Sequence, residues 1–268
     1  MPELEGKVAI VTGAGRLRGI GRAAAVRLAE LGADVVVTGT GRKPENYPRD
    51  ERAVGWKDIE GTAEQIRAKG RRAISVVMDI TDSAAVQNLI DQTIKEFGRV
   101  DILVNNAAFA RGEDRVPITD IEPSIFQRVL DIKVTGTFLV TQSFVRALKE
   151  PRGAKIVNIA STAGKSGTPN TLAYNAGNFA LVGMTQSLAR ELGPLGINVN
   201  CVCPGAVETA RMDVLSRSAM DTIAATSALR RNGTDDEIGG LVAYLCTEAA
   251  SWITGQSINI NGGTVMEA

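Results

Sequence analysis

The chain has 268 residues, 44% hydrophobic and 22% charged, with Lys plus Arg and Asp plus Glu balanced at 30 each. That balance offers no basic footprint for nucleic acid or for an anionic membrane surface, and no apolar run nears the roughly 18 residues of a membrane span. Histidine is absent, which removes Ser-His-Asp triads, His-Glu-x-x-His zinc sites and any histidine acid–base step, so no metal site is expected. Three cysteines, Cys201, Cys203 and Cys246, leave one unpaired in any disulfide scheme and read as buried thiols of a reducing cytoplasm.

The pattern begins with the short apolar run Val8–Thr12, followed by amphipathic Ile20–Leu31. Further strands are predicted at Asp34–Thr38, Arg72–Met78, Asp101–Val104, Lys155–Ala160, Asn198–Val202 and Ser257–Ile260. Helices fall between them near Lys57–Lys69, Ala84–Phe97, Ser124–Lys149, Leu172–Leu192 and Asp235–Thr247. Strands apolar on both faces and separated by helices predict an α/β fold, a doubly wound, Rossmann-like parallel sheet of about seven strands with helices on both faces. Ligands of such sheets bind at the carboxyl ends of the strands, beside the switch point. Residues 1–268 read as one domain.

Two stretches break the alternation. Gly39–Gly55 is a polar loop longer than an ordinary strand-to-helix link. Residues 206–233, after Pro204-Gly205, read either as a substrate flap or as a fixed surface excursion. Phe109, Met212, Leu215 and Met220 suggest an apolar substrate wall, although loop apolars also pack simply as core. Met1–Lys7 has no basic region leading into an apolar stretch, so no signal peptide is expected and a cytoplasmic location is.

The strongest local signal follows the first strand: Gly13-Ala14-Gly15-Arg16-Leu17-Arg18-Gly19-Ile20-Gly21, running into a helix. Glycines there allow a tight turn and close backbone approach to a pyrophosphate, and the helix N-terminus supplies free N–H groups and a positive dipole end. Coenzyme choice follows from charge. Selection of NAD generally uses a carboxylate at the end of the second strand, but after Thr38 the chain reads Gly39-Thr40-Gly41-Arg42-Lys43. Arg42 or Lys43, with Arg18, would meet a 2′-phosphate, for which the guanidinium fork of an arginine is well suited, and this favours NADP over NAD.

The stretch from Thr12 resembles the Thr-Gly-x-x-x-Gly-x-Gly signature of short-chain dehydrogenases/reductases, here two residues longer. Four further matches span nearly the whole chain. Asp79, followed by Ile80, resembles the family's adenine-contacting aspartate; Asn105-Asn106-Ala107-Ala108 resembles its Asn-Asn-Ala-Gly turn. Ser161 lies thirteen residues before Tyr174, the family's serine–tyrosine spacing, and Pro204-Gly205 with Thr209 resembles its nicotinamide segment. The resemblance implies that Tyr174 is the general acid–base, that Ser161 orients a substrate carbonyl, and that Gly13, Gly15, Gly19, Ile20, Gly21, Asn106 and Ala107 line the coenzyme. It also implies a homodimer or homotetramer assembled through the long helices Ser124–Lys149 and Leu172–Leu192 and the tail Ile253–Gly263.

One departure stands at the centre of the site. The family's lysine, four residues after the tyrosine, holds the nicotinamide ribose and lowers the tyrosine pKa from its usual value near 10. Here that position is Asn178, while the family's fourth catalytic position, an asparagine, is occupied by Lys133. Either Lys133 restores the cation near Tyr174, or it pairs with Asp131 or solvent and hydride chemistry is weakened or lost. Lys165 is a third candidate cation, or else a surface lysine. The expected activity is an NADP(H)-dependent oxidoreductase interconverting a small-molecule ketone and secondary alcohol. The alternatives are a non-redox lyase, dehalogenase or hydrolase of the same scaffold, or a catalytically idle nucleotide-binding subunit.

Overall fold

The computed structural model describes residues 2–267. Among them the chain runs β1 (Val8–Val11), α1 (Ile20–Glu30), β2 (Asp34–Gly39), α2 (Arg49–Ala53), α3 (Ile59–Ala68), β3 (Ala73–Val77), α4 (Ser83–Phe97) and β4 (Ile102–Asn105). It continues with α5 (Pro123–Leu130), α6 (Gly136–Ala147), β5 (Lys155–Ile159), α7 (Leu172–Leu192), β6 (Asn198–Pro204), α8 (Arg217–Thr226), α9 (Asp235–Leu245) and β7 (Ser257–Ile260). The strands form one sheet of seven in the order β3-β2-β1-β4-β5-β6-β7, and every pairing is parallel. This is the doubly wound architecture the alternation predicts. The order reverses between β1 and β4, so a crevice opens at their carboxyl ends. No helix among the described residues is long and apolar enough to cross a membrane.

Register explains why the strands carry no polar face. Val36, Ile10, Leu103, Ile156 and Val199 form one row across five strands, and all are fully buried. They belong to the core shared with Leu89 of α4, Phe144 of α6 and Leu192 of α7. On the same strands Val35, Val11, Ile102, Val157 and Val202 turn the other way, onto a core with Leu28 of α1, Ile66 of α3 and Val242 of α9. Successive residues of a strand face opposite sides, so a sheet clad on both faces is mostly apolar at successive positions, and its buried polar residues, such as Asn105 and Asn158, are hydrogen-bonded to one another. Each such side chain contributes about 1.5–3 kcal/mol on burial. The three cysteines are buried free thiols, as expected.

Three local features depart from the predicted pattern. The polar loop after β2 contains α2, whose Glu51 is fully buried and whose partners lie far along the chain, which periodicity cannot register. The 206–233 segment contains α8, capped by Ser216 accepting from the Ala219 N–H. Its two ends are pinned together by the Val207–Gly233 bridge. The long helix predicted over Ser124–Lys149 is interrupted by a π-helical turn, Asp131–Thr135, between α5 and α6. Such one-turn widenings recur at functional sites, and this one carries Lys133.

Candidate active site

The switch point is held by a strap of hydrogen bonds between the ends of β1 and β4. The Thr12 hydroxyl accepts from the backbone N–H groups of Asn106 (3.0 Å) and Ala107 (3.1 Å). The Asn106 side-chain amide donates to the carbonyls of Thr12 and Gly13, both at 2.9 Å. Packing here leaves no room for side chains: Gly13 has φ of 68°, and a Cβ on it would lie 2.9 Å from Ala107 Cα. A Cβ on Gly21 would lie 2.7 Å from the Gly13 carbonyl. The first turn of α1 has no acidic residue and its N-cap, Gly19, has no side-chain cap. The Gly19 N–H donates to the Asp235 carboxylate (2.9 Å), and the first-turn N–H groups beyond it are the donors a phosphate would use. Behind the strap, Asn105 donates to Asn158 (2.9 Å) and Thr141 (3.0 Å), and Asn158 donates to Thr185 (2.9 Å), a buried ladder joining β4, β5, α6 and α7.

At the outer end of this crevice the charges are arranged differently from the sequence expectation. The loop beyond Thr38 does carry Arg42, but carboxylates from farther along meet it. The Arg42 guanidinium binds Glu51 at 2.8 Å, Asp58 at 2.8 Å and the Gly15 carbonyl at 2.7 Å. Arg18 pairs with Asp50 (2.7 Å) and with Asp213 of the 206–233 segment (2.6 Å). Neither arginine stands as an open phosphate fork; both tie the glycine loop to its neighbours. Asp79 accepts from Thr81 and from Arg128 of α5 (2.6 Å). Although burial pushes its carboxyl upward, the Arg128 and Thr81 hydrogen bonds outweigh that and hold it at about 2. Ile80 is buried against Gly136.

Ser161 follows β5 directly, and its hydroxyl oxygen accepts from the Ala163 N–H (3.1 Å), capping the turn Thr162–Gly164. Gly164 abuts the backbone of Asn178, one helical turn beyond Tyr174 on α7. Asn178 is 1% exposed; its amide donates to the Tyr174 carbonyl (2.7 Å) and its Oδ1 has no partner. Lys133 is 6% exposed, and its stem packs on Gly177, where a Cβ would come within 3.1 Å. Its ammonium donates to the Ile159 carbonyl at 2.6 Å, two residues before Ser161. Burial, reinforced by the charge of Arg211, brings its pKa down to about 8. Lys133 thus neither reaches solvent nor pairs with Asp131, whose carboxylate accepts from Gln127 instead. Lys165 is no surface residue either: it donates to the Ser257 carbonyl (2.6 Å) and pairs with Glu267. Pro204 and Gly205 end β6, with Gly205 against Asn261. Thr209 begins the turn whose Ala210 N–H donates to the Arg18 carbonyl (3.1 Å).

The sequence reading missed the residues nearest to Tyr174. The Arg115 guanidinium carbon lies 3.7 Å from the centre of the Tyr174 ring, and that of Arg211 lies 5.4 Å away. Arg115 comes from the loop after β4, where it pairs with the fully buried Asp114 (3.1 Å). Arg211 comes from the 206–233 segment and donates to the Phe109 carbonyl. The available signal was positional. Arginines concentrated in the two loops that follow β4 and β6 face the crevice these strands open onto.

The chain is similar to known proteins over nearly its whole length. Residues 13–265 match a family model described as enoyl-(acyl carrier protein) reductase. A 3-oxoacyl-(acyl-carrier-protein) reductase of Aquifex aeolicus is 37% identical over 262 residues, 97% of this chain and 98% of that protein. A short-chain dehydrogenase/reductase structure from Serratia marcescens has a TM-score of 0.83 at 34% identity, covering 98% of this chain and 99% of the other. A Burkholderia cenocepacia short-chain dehydrogenase, solved in complex with NADP, gives the same TM-score, identity and coverage. With its seven-stranded parallel sheet, a family model matching residues 13–265 and relatives covered over nearly their whole length, the chain belongs to the short-chain dehydrogenase/reductase family.

Proposed function

We propose that this protein is an NADPH-dependent reductase that interconverts a ketone and a secondary alcohol, with Ser161 and Tyr174 acting on the carbonyl oxygen. The observation that carries this reading is the buried ammonium of Lys133 at the end of β5, beneath Ser161 and packed on Gly177 in the same stretch of α7 as Tyr174. A cation there favours negative charge as it develops on a neighbouring oxygen. The Ser161 oxygen already accepts from Ala163, so its proton is left to donate toward the carbonyl. Tyr174 supplies the proton to the alkoxide. Asn178 Oδ1, buried and unpartnered, is an acceptor suited to a ribose hydroxyl.

The chain's own residues fit the coenzyme. The side-chain-free turn at Gly13–Gly21 and the uncapped start of α1 would hold its pyrophosphate. Ile20, Asn106, Ala107, Pro204, Gly205 and Thr209 would line it, and Arg18 and Arg42 border its adenosine end. The coenzyme supplies hydride when bound. The NADP-bound Burkholderia relative supports this choice of coenzyme. Phe138 of α6 and Phe179 of α7, exposed at 47% and 46%, support a homodimer or homotetramer through these helices. Coenzyme oxidation against a ketone panel tests the activity. Tyr174→Phe is expected to lower kcat by 100-fold or more, on the order of a lost general acid, while NADPH fluorescence titration still detects binding. Turnover that survives Tyr174→Phe would remove the proposal.

A further inference from the structure

Two arginines, Arg115 and Arg211, converge on the Tyr174 ring, and a third, Arg111, is near enough to feel their charge. Arg115 stacks on the ring, Arg211 lies 5.4 Å from its centre, and the phenol and both of these arginines lie within electrostatic reach of Arg111. Asp114 is paired with Arg115 and also accepts from the Gly112 N–H (3.1 Å). Among the described residues, Arg111 and Arg211 have no carboxylate within 4 Å. Burial, and then the like charge of Arg115, hold both below the ordinary arginine range. Two uncompensated guanidinium charges in a partly desolvated crevice are unfavourable until an anion joins them. Their environment differs from that of Arg18 and Arg42, each of which is already held by two carboxylates.

Resting on the reductase reading above, we infer that Arg111, Arg115 and Arg211 form a subsite for a carboxylate of the substrate, so that the compound reduced is an oxo acid. The position fits this role. The arginines come from the loops after β4 and β6 and surround the phenol that would protonate the reacting oxygen, not the glycine loop that fits the coenzyme's pyrophosphate. The planar guanidinium fork matches a carboxylate's two oxygens. Arg211, already fixed by the Phe109 carbonyl, and Arg115, already fixed by Asp114, are preorganised for it. A carboxylate held against them lies beside Tyr174 and adds to the single negative charge that Asp114 supplies to the three arginines.

The test uses the full chain with two kinds of measurement. For turnover, kcat/KM is compared for a 3-oxo acid and its uncharged methyl ester; the acid is expected to be favoured by about 100-fold, the size of a charge-assisted hydrogen-bond pair. In Arg211→Met that ratio collapses toward one, chiefly through KM of the acid. For binding, calorimetric titration with malonate, which cannot be reduced, is expected to detect a complex in the presence of saturating NADPH, retained in Tyr174→Phe and lost in Arg211→Met. Equal use of acid and ester with no malonate complex overturns the subsite and leaves the reductase reading standing. A malonate complex without turnover of any ketone keeps the anion subsite but removes the reductase. Malonate displaced by NADPH, or inorganic phosphate bound in its place, overturns the assignment by giving the arginines to a phosphate.

Discussion

Lys133 gives a prediction in which pH separates charge from packing. Its ammonium is 6% exposed, has one carbonyl partner at 2.6 Å and no carboxylate, and titrates at about 8 instead of 10.5. That gap corresponds to about 3 kcal/mol by which folding disfavours the charged form. Between the two values the folded chain binds fewer protons at this site than the unfolded chain. Stability therefore increases with pH through that window, and the penalty is fully present below it. Lys133→Met removes the charge at nearly constant volume but leaves the Ile159 carbonyl without a donor, at about 1 kcal/mol. The variant should be more stable than the parent at pH 7 by about 2 kcal/mol, or roughly 4–8 °C in Tm for a chain of this size. The difference should shrink toward zero or reverse by pH 10. Urea unfolding of both proteins from pH 7 to 10 reads it directly, other titrating groups cancelling in the difference. Turnover should fall in the variant even as stability rises. A pH-independent difference, or a variant less stable at pH 7, would refute the assignment of a strained buried charge.

Two further outcomes follow from the packing. Asn178→Lys places a second cation in the buried space beside Lys133 and should cost on the order of 3 kcal/mol. The double variant Lys133→Asn/Asn178→Lys, which restores the family's arrangement, should recover stability and turnover with a coupling energy of at least about 1.5 kcal/mol. Additive losses in thermal unfolding and in kcat would count against the exchange. A Cβ on Gly15 would come within 2.9 Å of the Asp58 carboxyl carbon and closer still to its oxygen, while Arg42 holds Asp58 in place. Gly15→Ala should lose about 1–3 kcal/mol by overpacking and weaken NADPH binding; an unchanged urea midpoint contradicts this.

The sheet was legible because burial on both faces leaves no choice of residue type: Val35-Val36-Val37 and Ile102-Leu103-Val104 can hardly be read otherwise. The placement of Ser161 directly after β5 and of Tyr174 in α7 was legible because a short local chain path joins that strand to that helix. What escaped was contact between distant segments. Arg42 looked open because Gly39–Lys43 holds no acid, yet α2 folds Glu51 back onto it and the residue before α3, Asp58, joins them. The inward turn of Lys133 depends on a π-helical turn with no proline or glycine inside Asp131–Thr135 to mark it. Arg115 and Arg211 are nearly a hundred residues apart in sequence, and only the parallel order β4-β5-β6 brings their loops over one ring.

In this site the buried cation sits on the π turn: the Lys133 ammonium lies under the β5 end with the Ile159 carbonyl as its partner. On α7 beside it, Asn178 is a buried amide with a spare acceptor. The cost is the suppressed basicity of Lys133, and Arg211 increases that cost because it bears the same sign. An anion bound between Arg211 and Arg115 relieves the Arg211 share of this depression and leaves the larger share, which burial causes. Substrate charge and lysine ionisation are then linked. Saturating malonate should raise the apparent pKa of Lys133, and the alkaline limb of kcat should lie above that of kcat/KM for an acidic substrate. Coincident limbs would mean that the arginines and the lysine act independently.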